Sequence, residues 1–166
     1  MTDSNDMKDF FSEISSAGNG EFQKALSLFL EGLGLEFLKI IQDEIIRKKV
    51  MDTRLLLSSF HKLDSDGIWE LSEGDLSITV GTNVEYAKYV NDGHWTCEKG
   101  EKMRFVPGYW EGNRFKYDPA AKTGMMLKQK FVKGKHFWED GIKILEKMLP
   151  SMTEKMIDDF FERYFK

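Results

Sequence analysis

The sequence predicts an α+β fold: a small antiparallel sheet packed by two long helices, with a protruding hairpin or loop excursion between them. Three observations carry that prediction. Apolar stripes at three- and four-residue spacing occupy two long stretches toward the ends of the chain, and short alternating β-branched runs lie between them. A glycine- and proline-punctuated aromatic segment fills the rest of the middle. With 166 residues, 41% of them hydrophobic, the chain buries one core of ordinary size and hardly two. Residues 21–166 are therefore read as a single domain, preceded by an acidic helical arm over residues 1–20.

In the arm, Met7, Phe10, Phe11 and Ile14 stand at i, i+3, i+4 and i+7, the spacing of a short amphipathic helix. Ala17-Gly-Asn-Gly20 ends it, because glycine takes the positive φ found past helix ends. The first long helix is predicted from Glu21 to about Lys49. Phe22, Leu26, Phe29, Leu33, Phe37, Ile40, Ile41 and Ile45 fall on one side, and Lys24, Glu31, Lys39, Asp43 and Lys48 largely opposite. Gly32 and Gly34 cost about 1 kcal/mol each relative to alanine, so they are expected to serve a close approach or a bend. A short apolar run, Leu55 to Phe60, leads out of this helix.

Gly67–Leu71 and Asp75–Val80 alternate as two strands of a hairpin joined by a Ser72-Glu-Gly-Asp75 turn. Val84 to Val90 reads as a short helix with Tyr86, Ala87 and Val90 on one face. Residues 91–124, broken by glycines and by Pro107 and Pro119, read as a long excursion with a hairpin around Glu111-Gly-Asn113. Met125–Val132 is expected to return as a strand to the sheet. The second long helix is predicted over Phe137 to Tyr164, with Trp138, Ile142, Leu145, Leu149, Met152, Met156 and Phe160 at helical spacing. Pro150, which lacks a backbone donor, should kink or split it.

The formal charge of −4 is too near balance for a general polyanion binder, but it is unevenly placed. From Lys99 to Lys135 there are ten basic and three acidic side chains, a local +7 against −11 for the remainder. Such asymmetry can set the register between identical subunits, can contact phosphates, or can be a solvated basic loop beside acidic helices. The single cysteine, Cys97, has no internal partner, which suits a reducing compartment. No stretch approaches the roughly 20 apolar residues that span a bilayer. The acidic N-terminus is unlike a signal peptide, so cytoplasmic synthesis and no membrane partner are expected.

Few residues are arranged for chemistry. Asp64, Asp66, Gly67 and Glu73 align with positions 3, 5, 6 and 12 of a calcium loop, but Lys62 stands at position 1 and a β-like run follows, so a turn opening a hairpin is the better account. His94, Cys97 and His136 supply soft or borderline ligands, yet only two are near in sequence, which disfavours a zinc site. Nothing places a nucleophile beside an oriented base, and neither Gly18-Asn-Gly20 nor Gly32-Leu-Gly34 completes a phosphate-binding motif. The expectation is a non-enzyme without metal or cofactor. The chemistry-bearing residues left are Trp95, Phe105, Tyr109, Trp110, Phe115 and Tyr117, interleaved with Arg104 and Arg114. They could stack bases as single-strand binders do, or anchor contacts between subunits, where aromatics and arginine are enriched.

The segments "VGTNVEYAKYVNDGHW", "RFVPGYWEGNRFKYDP" and "TGMMLKQKFVKGKHFWEDGI", in this order before a long C-terminal helix, resemble the minor tail component family of long-tailed bacteriophages, described as neck, tail-completion or tail-terminator proteins. The likeness covers roughly residues 22–165. It implies a tail-completion-like domain and an assembly role: a ring, most simply a hexamer, at the head-proximal end of a tail or tail-like particle, contractile tails included. Its partners would be further copies of itself, tail tube or sheath proteins and head–tail connector proteins. The protein would assemble in the host cytoplasm and end in the virion tail. The family resemblance favours subunit contacts, with Trp95, Arg104, Phe105, Tyr109, Trp110, Arg114, Phe115 and Tyr117 as the expected interface. The alternative is a nucleic-acid-binding module using residues 99–135.

Overall fold

The computed structural model describes residues 20–50, 54–98 and 100–164. The expected arm helix through Met7, Phe10, Phe11 and Ile14 lies outside them. The chain forms two compact units: one runs up to Glu85 and resumes at Phe137, and the other is the segment Tyr86–His136 between.

The first unit is built on α1 (Glu21–Arg47) and α4 (Phe137–Tyr164), both within a residue or two of their predicted limits. The two helices run antiparallel. Phe22 near the start of α1 meets Phe160 near the end of α4 edge-on at 5.0 Å, and Phe37 meets Trp138 at 5.1 Å. Phe22, Phe37, Ile40, Ile41 and Ile45 are buried as the stripe predicts, joined by Leu38. The four-residue helix α2 (Leu55–Ser58) carries the chain so that Leu56 and Phe60 enter the same core. Phe60 packs on Phe137 and Trp138 at 6.2 and 6.1 Å. Each such fully buried aliphatic or aromatic side chain contributes about 1.5–3 kcal/mol of transfer free energy.

Pro150 lies inside α4, which continues through it as one 28-residue helix, so the expected split does not occur. The helix is anchored on both sides of that point by the packing of Phe137, Trp138 and Phe160, so one missing donor does not end it.

The strands β1 (Gly67–Ser72) and β2 (Ser77–Thr82) form the predicted hairpin, with Ser72 opposite Ser77. The second strand thus starts two residues later than expected. Asp75 belongs to the loop, where its N–H donates to Ser72 Oγ and its carboxylate accepts from the same hydroxyl. The register puts Trp69, Leu71, Ile78 and Val80 on one face, which packs on α1 at Gly34. A Cβ there would lie 2.3 Å from Ile78 Cδ1 and 2.9 Å from the Trp69 ring, whereas Gly32 has nothing within 4 Å. The close approach anticipated for the two glycines therefore belongs to Gly34 alone.

The end of α1 and the start of α4 are joined by ion pairs. Glu44, buried, accepts from Arg47 Nε at 2.8 Å and from its terminal nitrogen at 2.5 Å, and Lys48 pairs with Asp140. The hydrogen bond from Arg47 holds the Glu44 carboxyl below its ordinary range, against the opposing effect of burial. Asp140 is likewise lowered, by Lys48 first and Lys143 second.

The second unit contains α3 (Ala87–Asp92), β3 (Gly93–Trp95), β4 (Met103–Glu111), β5 (Arg114–Tyr117), β6 (Gly124–Lys128) and β7 (Phe131–Lys133). The short helix begins three residues after the predicted start; Ala87 is buried, Val90 half-buried and Tyr86 at the margin of exposure. The hairpin at Glu111-Gly-Asn113 is present, with Glu111 opposite Arg114 and Gly112 at φ +60°, a first loop position where glycine is favoured. The return strand differs from expectation. Met125–Val132 does not join the Trp69 hairpin: β6 pairs with β4, giving the order β5-β4-β6, and β7 pairs with β3. In place of a single small sheet there are thus three small antiparallel sheets among the described residues. The segment changes partner at Gln129-Lys130, where Gln129 N–H donates to Lys102 O and Lys130 O accepts from Thr96 N–H.

Candidate assembly surface

All eight residues singled out in the sequence lie in the 86–136 unit, on β3, β4 and β5. The pleat divides them. Successive side chains of a strand point to opposite faces, and directly paired residues share a face. One face of the β5-β4-β6 sheet therefore carries Phe105, Tyr109 and Arg114, with Met103 and Met126 added by the β4–β6 register. The other carries Arg104, Trp110, Phe115 and Tyr117. Trp95 stands apart on β3, opposite Phe131, with the two rings 5.3 Å apart.

Two of the aromatic rings also serve the sheet itself. Phe115 is half-buried against Trp110 at 5.4 Å and covers Gly108, where an added Cβ would meet its ring at 2.6 Å. Phe105 covers Gly124 in the same way. Aromatic cover over a cross-strand glycine restores the packing that the missing side chain forfeits.

Apart from Phe115, these large side chains, Phe105 among them, are about half or more exposed. Trp95 and Trp110 are each 59% exposed, Tyr117 66%, Phe105 53% and Met126 56%. Aromatic side chains bury about 150–250 Å² each when fully covered, so each half-exposed ring leaves on the order of 100 Å² uncovered. Met103, Phe105, Tyr109 and Met126, which share one face, together expose on the order of a few hundred Å², the scale at which exposed apolar patches mark interaction sites. Arg104, Arg114, Lys122, Lys128, Lys130 and Lys133 are exposed around these rings, and Lys116 is paired with Glu111. Met103, Met126, Phe131 and Val132 belong to the same exposed set but escaped the sequence reading. The alternation of Met125–Val132 was visible, but only the pairing with β4 and β3 shows which neighbours those residues share.

Asp64, Asp66, Lys62 and Cys97 are engaged in structure, whereas His94 Nδ1 is buried with no hydrogen-bond partner among the described residues. Asp64 accepts from the Asp66 N–H at 2.9 Å, closing the turn before β1, while Lys62 pairs with Glu31 and lies 4.9 Å from the Trp69 ring centroid. Cys97 is buried and its Sγ–H donates to Leu127 O at 3.4 Å, and His94 packs edge-on against Tyr89. Among the described residues, no group of three or more His, Cys, Asp or Glu side chains is placed to hold a metal ion. None of the described helices is long and apolar enough to cross a membrane.

The chain is similar to known proteins over nearly its whole length. Residues 9–93 match the family model described as "Bacteriophage HK97-gp10, putative tail-component". Protein YqbI of Bacillus subtilis (strain 168) is 45% identical over 159 residues, covering 94% of this chain and 95% of its own. The phage-like element PBSX protein XkdI of the same organism is 38% identical over 157 residues, covering 95% and 96%. No solved structure matches the chain. Nearly full-length likeness to XkdI, together with the family match over half the sequence, means that this chain belongs to the HK97 gp10-like family of phage tail components.

Proposed function

We propose that this tail component is a structural protein of the head-proximal end of a phage tail or tail-like particle, where copies form a ring that caps the tail tube and joins it to the next component. The observation that carries this reading is the β5-β4-β6 sheet, which displays large apolar side chains on both faces within its own unit. A chain in a ring needs two unlike surfaces, because a head-to-tail contact closes only if each copy offers both halves of it. A sheet with two differently composed faces supplies such a pair, and its basic surround fits the acidic balance of the rest of the chain. The mechanism is geometric: the ring occupies the last binding surface of the tube, halts its growth and presents a new surface to a connector. The work is done by fit and burial, with no covalent step and no cofactor. Assembly takes place in the host cytoplasm, and the product is carried in the finished tail.

Light scattering on the purified full chain tests this, over a concentration and salt series, alone and with tail-tube protein. A ring-sized mass, alone or on adding tube, is the expected result. A monomer indifferent to tube overturns the reading. If the same monomer bound single-stranded DNA with an affinity falling steeply in salt, the basic segment would instead be a nucleic-acid module.

A further inference from the structure

We propose that the N-terminal segment Met7–Ile14 docks in cis, seating its apolar stripe in the groove between α1 and α4 of its own chain. This goes beyond the ring reading and stands whether or not a ring forms. The groove has a volume of about 460 Å³ and is lined by Ala25, Leu28 and Phe29 of α1 and Met152, Met156 and Phe160 of α4. Leu28, one of its lining residues, is 67% exposed on a helix whose other face is core.

Three features of the chain select the occupant. The first is position. Gly20, the residue before α1, has φ +81°, a left-handed conformation that redirects the incoming backbone. Met7–Ile14 would be about 12 Å long as a helix, and the groove runs from Ala25 to Phe29 beside the first turns of α1. The residues between Ile14 and Gly20 reach up to about 20 Å, enough to lay the segment back along the groove. The second is pattern. Met7, Phe10, Phe11 and Ile14 form one apolar stripe, which suits a groove whose floor is apolar on both walls. The third is charge. Met7–Ile14 bears Asp9 and Glu13 against Lys8, with Asp3 and Asp6 just before it, and the groove rim presents Lys155 and Arg163 with one acid, Asp159. The short tether favours the same chain over a second copy, since it holds the segment at an effective concentration in the millimolar range.

The test uses the full chain with Cys97→Ser and Ser12→Cys, a nitroxide on the introduced thiol, and ¹³C-methyl methionine. Ser12 lies off the apolar stripe, and Cys97→Ser keeps a donor toward Leu127 O. The expected result is loss of the Met152 and Met156 methyl signals. Leu28→Glu, a change at an exposed helix position, should restore the lost signals. When nitroxide-bearing unlabelled chains are mixed with ¹³C chains lacking the nitroxide, all signals should persist. Retention of the Met152 and Met156 signals in the labelled chain overturns the proposal. So does their loss in the mixture, which would place the segment on a second copy, or a loss unaffected by Leu28→Glu.

Discussion

The helical pair and the aromatic sheet are both rich in large apolar side chains, but they dispose of them in opposite ways. In the helical pair the buried part of each stripe faces the other helix: Phe22, Phe37 and Ile41 on α1 meet Phe160, Trp138 and Gly141 on α4, and Phe22, Phe37, Ile41 and Phe160 are almost fully covered. In the 86–136 unit a single-layer sheet has two faces, and Phe105, Tyr109, Trp110 and Tyr117 remain about half or more exposed across them. A helix needs one neighbour to satisfy its stripe, whereas a two-faced sheet needs two. The same kind of side chain thus stabilises the monomer in one region and leaves surface for binding in the other.

The sharpest way to break this comparison is to make matched truncations in the two regions. Phe60→Ala removes a fully buried ring between α1 and α4 and should cost about 3–5 kcal/mol of stability, read by chemical denaturation. Trp110→Ala combined with Tyr117→Ala should leave stability nearly unchanged, yet weaken association by about 2 kcal/mol or more, roughly 30-fold, in a sedimentation or light-scattering titration. Equal loss of stability from both would erase the distinction.

A smaller effect separates electrostatic from apolar contributions within the helical pair. Glu44 and Asp140 have folded-state values below their unfolded ones, so their contribution is full above about pH 5 and is lost as pH falls below about 4 through the lowered values. Glu44→Gln should lower stability by about 1.5 kcal/mol at pH 7. The gap from the parent protein should shrink in acid, as measured by melting temperature against pH, and a gap that widened would contradict the assignment. The finest contrast lies within one helix. Gly32→Ala should stabilise by about 0.5–1 kcal/mol through helix propensity. Gly34→Ala should destabilise by about 1–3 kcal/mol, because its Cβ meets Ile78 and Trp69.

The helices and the first hairpin were legible because their signals are local. A period near 3.6 residues located α1 and α4, and alternation with β-branched residues located β1 and β2. Of the two outcomes expected at Pro150, the split does not occur, because a proline's local penalty says nothing of packing on either side of it. Pairing between strands distant in sequence was not legible. Whether Met125–Val132 joins the Trp69 hairpin or the Arg104 strand depends on contacts distant in sequence, and both partners are equally β-like. The exposed aromatics were found by composition alone. Their division between two faces came only from register: Tyr109 is opposite Lys116 and Trp110 opposite Phe115, which a string of adjacent rings does not reveal.

The antiparallel pairing of the first and last helices also sets a timetable for synthesis. More than a hundred residues separate Arg47 from the end of α4, and at translation speeds of 5–20 residues per second the stripe of α1 emerges on the order of ten seconds before its partner exists. During that interval Phe37, Ile41 and Ile45 lack the α4 part of their native surface. A newborn chain must therefore be shielded or stay dilute, and a message interrupted before Phe137 yields a product that carries the aromatic sheet but lacks half of its core.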